Sequence, residues 1–274
     1  MFITHNPKVS VLVPVYNAEA FIEATISAVL EQTFNDFELI LLDDASTDGT
    51  SAIIKGFNDK RIIYVRNDTN LGISATRNKL IDIAKGEYIA VLDHDDICLP
   101  HRLEQQVAFL DKHKDVAMIG SWFELFCRKD APLWRRAVTN LGWVWCHPLQ
   151  PEWNDLQKGN VMMHPTIMYR RKLFSDAGIK YRGEYSPAED YDLVRQAMEH
   201  GMILVNLPQV LLRYNLHGKN LSVVRKQEMS DVDKKLKYEI AHFLGRKNKL
   251  FYPYWLVMLE KLRLRFMIRE NYDV

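Results

Sequence analysis

Carboxylates gather at three places where an apolar run stops. Leu42-Asp43-Asp44 ends one such run, and Leu92-Asp93-His94-Asp95-Asp96 ends another. Further on, Ala188-Glu189-Asp190-Tyr191-Asp192 opens a segment of helical period. Acids packed this closely repel one another unless a cation or hydrogen-bond donors compensate them. A hard divalent cation bound together with substrate phosphates is a natural compensator. The chemistry open to such a set is phosphate binding through a metal, with a separate carboxylate free to take a proton. Each cluster also has a plain structural reading. Asp96 can cap the helix that Pro100 starts, Ser46, Thr47 and Asp48 can cap the helix after them, and Glu189 and Asp190 suit a helix N-terminus.

These acids need elements that deliver them to one place. Val9–Val15, Phe37–Leu42, Arg61–Val65 and Glu87–Leu92 read as strands buried on both faces. Between and after them, residues 19–32, 48–57, 73–85 and 100–113 carry helical periodicity, and Gly86 is a helix stop. Alternation of this kind predicts an α/β fold with a mostly parallel, Rossmann-like sheet and helices on both faces. In such sheets ligands bind beyond the C-terminal strand ends, where both acid clusters of the first half fall. The pattern loosens after Ser121. Residues 128–160 hold Trp134, Trp143, Trp145 and Trp153 among prolines, and predict a long excursion over the active face. Val161–Tyr169 then reads as ordered strand, residues 171–177 and 189–200 as helices, and Met202–Asn206 and Val210–Tyr214 as two strands. The chain reads as helical and charged from Val224.

Bulk properties narrow the function. The 274 residues carry a net charge of +1, which excludes an electrostatic nucleic-acid binder over the first two hundred residues. Three cysteines without metal-type spacing argue for a reducing compartment. No run reaches the roughly 18 apolar residues of a membrane span. The expectation is a cytoplasmic protein, soluble or peripheral on the inner face of the cell membrane.

Four motifs in order make a resemblance specific. Val9–Asn17 reads Val-Ser-Val-Leu-Val-Pro-Val-Tyr-Asn, and Ser27–Glu38 reads Ser-Ala-Val-Leu-Glu-Gln-Thr-Phe-Asn-Asp-Phe-Glu. Asp43–Thr50 is Asp-Asp-Ala-Ser-Thr-Asp-Gly-Thr, and Asn70–Asn78 is Asn-Leu-Gly-Ile-Ser-Ala-Thr-Arg-Asn. With the Asp93-His94-Asp95-Asp96 cluster, the chain resembles the family 2 glycosyltransferases of GT-A fold, of the bacterial polysaccharide type, over roughly residues 8–125. The resemblance implies a GT-A catalytic domain over 1–222, with a nucleotide-binding half about 8–125 and an acceptor-binding half about 126–222. Residues 223–274 form a C-terminal helical extension.

The resemblance also implies roles. Pro14, Val15, Tyr16, Asn17, Asp44, Asn70, Gly72, Arg77, Asp93 and His94 hold a nucleotide sugar, most simply a UDP-sugar. Asp95, Asp93 and His217 hold Mn²⁺ or Mg²⁺. Asp190 is the general base of an inverting displacement on a saccharide or lipid-linked saccharide hydroxyl. His164, Glu189 and Trp122 stand on the acceptor side. His164 precedes Pro165 and reads equally as a core histidine, Arg77 as a surface arginine, and the tryptophans as ordinary packing. Asn215 stands where the family's tail motif often has Arg, which puts one basic diphosphate contact in doubt. Residues 250–270 mix aromatics with Lys261, Arg263, Arg265 and Arg269, the pattern of a basic amphipathic helix. An anionic membrane surface, packing on the catalytic domain and a homodimer contact all fit it.

Other classes fit less well. A sugar nucleotidyltransferase needs a Gly-rich basic loop after the first strand, and residues 13–20 contain no Gly, Arg or Lys. A dehydrogenase needs G-x-G-x-x-G there. A non-catalytic nucleotide-sugar-binding or scaffold protein predicts a missing acid at Asp95 or Asp190, and both are present.

Overall fold

The computed structural model describes residues 6–127, 139, 142, 144–217 and 220–245. Its centre is a nine-stranded sheet. Strands β1 (Val9–Val15), β2 (Phe37–Asp43), β3 (Ile62–Arg66) and β4 (Tyr88–Val91) stand in the order β3-β2-β1-β4, all parallel. The chain moves outward from β1 through β2 to β3, then returns to place β4 on the other side of β1. That reversal opens a crevice at the C-terminal ends of β1 and β4. Pairing of β1 with β4 ends at Leu12 and Val91, while β1 stays paired with β2 to Val15. Pro14 therefore lies past the last β4 partner, where a missing N–H leaves that edge of the ladder intact.

The second half extends the same sheet. Strands β5 (Ile97–Cys98), β6 (Val116–Phe126), β7 (Val144–Trp145), β8 (Met168–Arg170) and β9 (Ile203–Asn215) continue it as β4-β8-β6-β9-β5, with β7 on β6. The antiparallel pairings here are two or three residues long, and the long β6–β9 pairing is parallel.

Residue alternation explains the layers. Val9, Val11, Val13 and Val15 point to one face of β1, and pack with Ile22, Ile26 and Val29 of α1 (Ile22–Leu30), Ile54 of α2 (Thr50–Gly56) and Leu103, Val107 and Leu110 of α4 (Arg102–Lys112). Leu12, Ile40, Leu42 and Ile89 point to the other. They meet Leu80 of α3 (Ile73–Ile83), Leu193 and Val194 of α7 (Glu189–Glu199), and Leu236 and Ile240 of α9 (Lys226–Phe243). Short helices α5 (Trp153–Leu156), α6 (Arg171–Asp176) and α8 (Leu221–Val224) complete the set among the described residues.

The eight predicted strands and helices of the first 113 residues form, with ends shifted by a few residues. Later expectations need correction. β6 runs straight through Ser121 to Phe126, past the point where the sequence pattern loosens. Only Met168–Arg170 of the expected Val161–Tyr169 strand forms, because residues 164–166 make a 3-10 turn around Pro165. The two late strands are one, β9, and Pro208 sits where the β6 register skips from Leu207 to Val210. A bulge lets a proline sit in a strand without breaking the ladder. Trp134, Trp143 and residues 250–270 lie outside the described residues.

Candidate functional site at the strand ends

The turn after β1 is shaped by Asn17, whose φ is 47°. Asparagine tolerates this left-handed backbone better than most side chains. Asn17 N–H donates to Ser46 Oγ at 3.0 Å, and Asn17 Oδ1 accepts from the Thr47 N–H at 2.8 Å. The β1 and β2 turns are thus tied together. Tyr16 is exposed at the mouth while Pro14 and Val15 are buried beneath it.

The two acids after β2 divide their work. Asp43 is fully buried, accepting from Tyr64 Oη at 2.8 Å and Arg66 Nη1 at 2.6 Å. Asp44 accepts from Asn67 Nδ2 at 2.8 Å and from the N–H groups of Leu71 and Gly72 at 2.9 Å each. Asp44 therefore anchors the loop that contains Asn70, whose Oδ1 in turn accepts from the Gly72 N–H at 3.1 Å. Gly72 has φ 82°, a conformation in which a side chain would be strained.

The acids after β4 separate in three directions. Asp93 Oδ1 takes Arg77 Nη2 at 3.0 Å. His94 Nδ1 lies 3.2 Å from the Pro14 carbonyl, joining the β4 end to the β1 end. Asp95 Oδ2 meets His217 Nε2 at 2.6 Å, a contact spanning 122 positions of sequence. The His217 ring stacks on Phe21 with centroids 4.6 Å apart. Burial pushes the Asp95 carboxyl up, but the His217 hydrogen bond and the His94 and His217 charges outweigh it and hold the group below its usual range.

Asp96 is not a helix cap. It is fully buried, and its Oδ1 accepts the Asn215 N–H at 2.9 Å, so it pins the end of β9 beside the cluster. Burial, then the Asp95 and Asp93 charges, push its carboxyl well above the ordinary range.

A second group forms where α3 meets α7. Arg77 is buried rather than at the surface, and bridges Asp93 to Glu189, the first residue of α7. Its guanidinium also lies over the Tyr181 ring at 5.4 Å. Two carboxylates already meet its charge, so a role as an anion clamp is shared with these partners. His164 is buried with Nε2 at 2.8 Å from Tyr181 Oη and Nδ1 3.9 Å from Asp93 Oδ1. Burial and then the nearby Arg77 charge hold it down to about 3, so it is neutral at pH 7. It has the surroundings of a core histidine.

Asp190 is half-buried, one residue into α7, and its Oδ2 accepts from Asn160 Nδ2 at 2.9 Å. Burial raises its carboxyl to about 6, with the Glu189 charge adding to the rise and Arg77 opposing it. Asp192, two positions on, is fully buried and saturated by Arg182, Arg195 and Gln196, which leaves it no lone pair facing a substrate. Asn160 escaped the sequence reading: it sits in an irregular loop, 30 positions from its partner.

Trp122 is half-buried within β6 at the bulge. Trp145 stacks on Phe123 and Trp153 against Phe243 of α9, so both serve packing.

Among the described residues no group of three or more His, Cys, Asp or Glu converges as a metal cage. At the β4 end, Asp95 and His217 present a carboxylate oxygen and an imidazole nitrogen to each other. A hard carboxylate with an imidazole is a donor pair that would suit a divalent cation such as Mn²⁺. A hollow lined by Asn17, Phe21, Thr47, Asp48 and His217 opens next to this pair.

A parallel sheet that reverses at β1, with acids on its strand ends and Asp190 at a helix start, is the setting that the comparisons with known proteins place in a family. Residues 10–178 match glycosyl transferase family 2, and the chain belongs to that family and is a glycosyltransferase. It is 32% identical over 247 residues to an uncharacterized glycosyltransferase of Haemophilus influenzae, covering 88% of this chain and 75% of that one. It is 30% identical over 222 residues to the Escherichia coli UDP-Glc:α-D-GlcNAc-diphosphoundecaprenol β-1,3-glucosyltransferase WfaP, covering 81% of this chain and 82% of WfaP. The fold matches the crystal structure of Staphylococcus aureus TarS 1–349 in complex with UDP-GlcNAc, with a TM-score of 0.68 at 22% identity. That match covers 85% of this chain and 66% of the TarS chain, and establishes the GT-A fold.

Proposed function

We propose that this glycosyltransferase inverts configuration, taking a sugar from a UDP-sugar and passing it to a hydroxyl of a glycan or lipid-linked saccharide. Asp190 is the general base. The observation that carries this reading is its carboxylate: half-buried at the start of α7, held by Asn160, raised to about 6, and next in sequence to Glu189, which Arg77 links to Asp93. A base of that strength is ionised at neutral pH yet accepts a proton readily as the attacking oxygen acquires positive charge. WfaP, whose name specifies UDP-Glc as donor and a diphosphoundecaprenol-linked GlcNAc as acceptor, supports the substrate classes.

The residues divide the work in a definite way. Pro14 to Asn17 and the loop held by Asp44 receive the nucleoside. Arg77 keeps Asp93 and Glu189 in fixed positions between donor and base. Asp95 and His217 would hold Mn²⁺ or Mg²⁺, which when bound offsets the charge of the departing diphosphate. Asp190 takes the acceptor hydroxyl proton on the face opposite the leaving group.

Isothermal calorimetry of UDP with Mn²⁺, paired with UDP release across UDP-sugars, tests the donor and metal assignments. Asp95→Ala is expected to abolish the metal-dependent part of UDP affinity while the thermal unfolding transition stays cooperative. Unchanged UDP–Mn²⁺ affinity in that variant would sink the metal assignment.

A further inference from the structure

Asn160 is the one side chain in the described structure that donates a hydrogen bond to the Asp190 carboxylate, at 2.9 Å to Oδ2. Its amide is not free to turn over. Asn160 Oδ1 accepts from the Met162 N–H at 3.3 Å, which leaves the NH₂ end as the one facing Asp190. The orientation is thus set by the backbone two residues on, and it offers the carboxylate a donor only.

We propose that Asn160 is the positioning residue of the base: its Nδ2 donates to Asp190 Oδ2 and leaves Oδ1 to receive the substrate hydroxyl's proton. This rests on Asp190 being the base. In the step itself, the acceptor oxygen bonds to the anomeric carbon as the bond from that carbon to the diphosphate oxygen breaks. The bonding pair leaves with UDP, and the acceptor O–H proton passes to Asp190 Oδ1.

The same contact tunes the base. A donor on a carboxylate favours its charged form. The other groups facing Asp190 are Glu189 and the Tyr191 backbone N–H on its own helix, Arg77 from α3, Asp93 from the β4 end and Tyr181 from the loop before α7. Glu189 and Asp93 push its carboxyl up, and Arg77 pulls it down. The Tyr191 N–H lowers it alongside Arg77, and the Asn160 N–H, as a donor to the same carboxylate, acts in that direction without adding charge.

Two measurements on the full chain test this. Protein labelled with ¹³C at the aspartate carboxyls allows direct titration of Asp190, whose resonance is identified by its absence in Asp190→Asn. Removal of the donor in Asn160→Ala is expected to raise the Asp190 midpoint by about one pH unit. Asn160→Asp has nearly the same shape, so it guards against misfolding, and its added charge is expected to raise the midpoint at least as far. UDP release from UDP-glucose with Mn²⁺ is then followed against pH. In both variants the acid limb is expected to move upward with the midpoint, and Asn160→Ala is expected to change nothing further in the Asp190→Asn background.

A midpoint that stays put or falls in both variants overturns the proposal. So does a rate loss in Asn160→Ala that persists undiminished when Asp190 is already Asn. If Asp190→Asn alone releases UDP at the wild-type rate, the base assignment fails, and the carboxyl titration still decides whether Asn160 controls Asp190.

Discussion

Replacing Asp190 by Asn should remove activity and add stability at the same time. The Asn side chain keeps the shape and can still accept the Asn160 N–H through its own oxygen. It cannot accept the acceptor proton, so kcat is expected to fall roughly 10²–10⁴-fold. The stability change follows from the carboxyl's displacement from 3.8 to about 6. A displacement of that size disfavours the ionised form by at most about 3 kcal/mol. Because the side chain is only half-buried, solvent screening reduces this to about 1–2 kcal/mol. The sign is set by linkage. The folded state holds the proton more tightly than the unfolded chain, so the native protein is free of this cost below pH 3.8. It loses stability as pH rises towards 6, and bears the full cost at pH 7. Urea unfolding at pH 7 should therefore show Asp190→Asn more stable than wild type by about 1–2 kcal/mol, and the two proteins should converge near pH 4. The wild-type transfer rate should fall as pH drops through about 6. A variant that is less stable than wild type at pH 7 while retaining near-native transfer would refute both the electrostatic reasoning and the base assignment.

Two further outcomes follow from packing. Arg77→Met strands Asp93 and Glu189 without their shared cation, and breaking a buried pair this way costs about 3–5 kcal/mol; denaturant unfolding should register it, and a loss under 1 kcal/mol would show the network to be solvated. Gly86→Ala puts a Cβ 2.4 Å from the Ser10 backbone nitrogen in the central strand, an overpacking worth about 1–3 kcal/mol in thermal unfolding, whereas Gly56→Ala, with nothing within 4 Å, should be tolerated.

Much of the fold was legible in the chain because its signals are local. β1, β2 and β4 are buried throughout their lengths, so they read as apolar runs. The helices between them show a face every three or four residues. Legibility failed where the period is broken by context. β6 passes three register shifts with β9, and its later residues are half-exposed, so no single alternation marks it. Pro208 reads as a break between strands, and only the skip in the β6–β9 register reveals that the ladder continues around it. At Val161–Ile167 the apolar run looks like strand, yet a proline turn presents His164 to Tyr181 instead.

Local pattern in the chain is enough to say which strand ends carry acids and that those ends share one edge of a parallel sheet. Side chains just beyond a buried strand have nowhere else to go, and right-handed crossovers align the strand ends. It did not determine what each acid does there. Asp43, Asp44, Asp93, Asp95 and Asp96 are equivalent as letters, and tertiary structure gave each a different neighbour. Arg66 meets Asp43, backbone N–H groups of the loop after β3 meet Asp44, and Arg77 meets Asp93. His217, from 122 positions away, meets Asp95, and the end of β9 meets Asp96. The same holds for the proposed base: Asp190 and Asp192 lie in one short motif, but Arg182 and Arg195 neutralise Asp192, while among the described side chains Asn160 is the one that donates a hydrogen bond to Asp190. Proton affinity depends on burial and on charges within a few ångströms, and those distances are set by packing between segments that sequence periodicity does not relate.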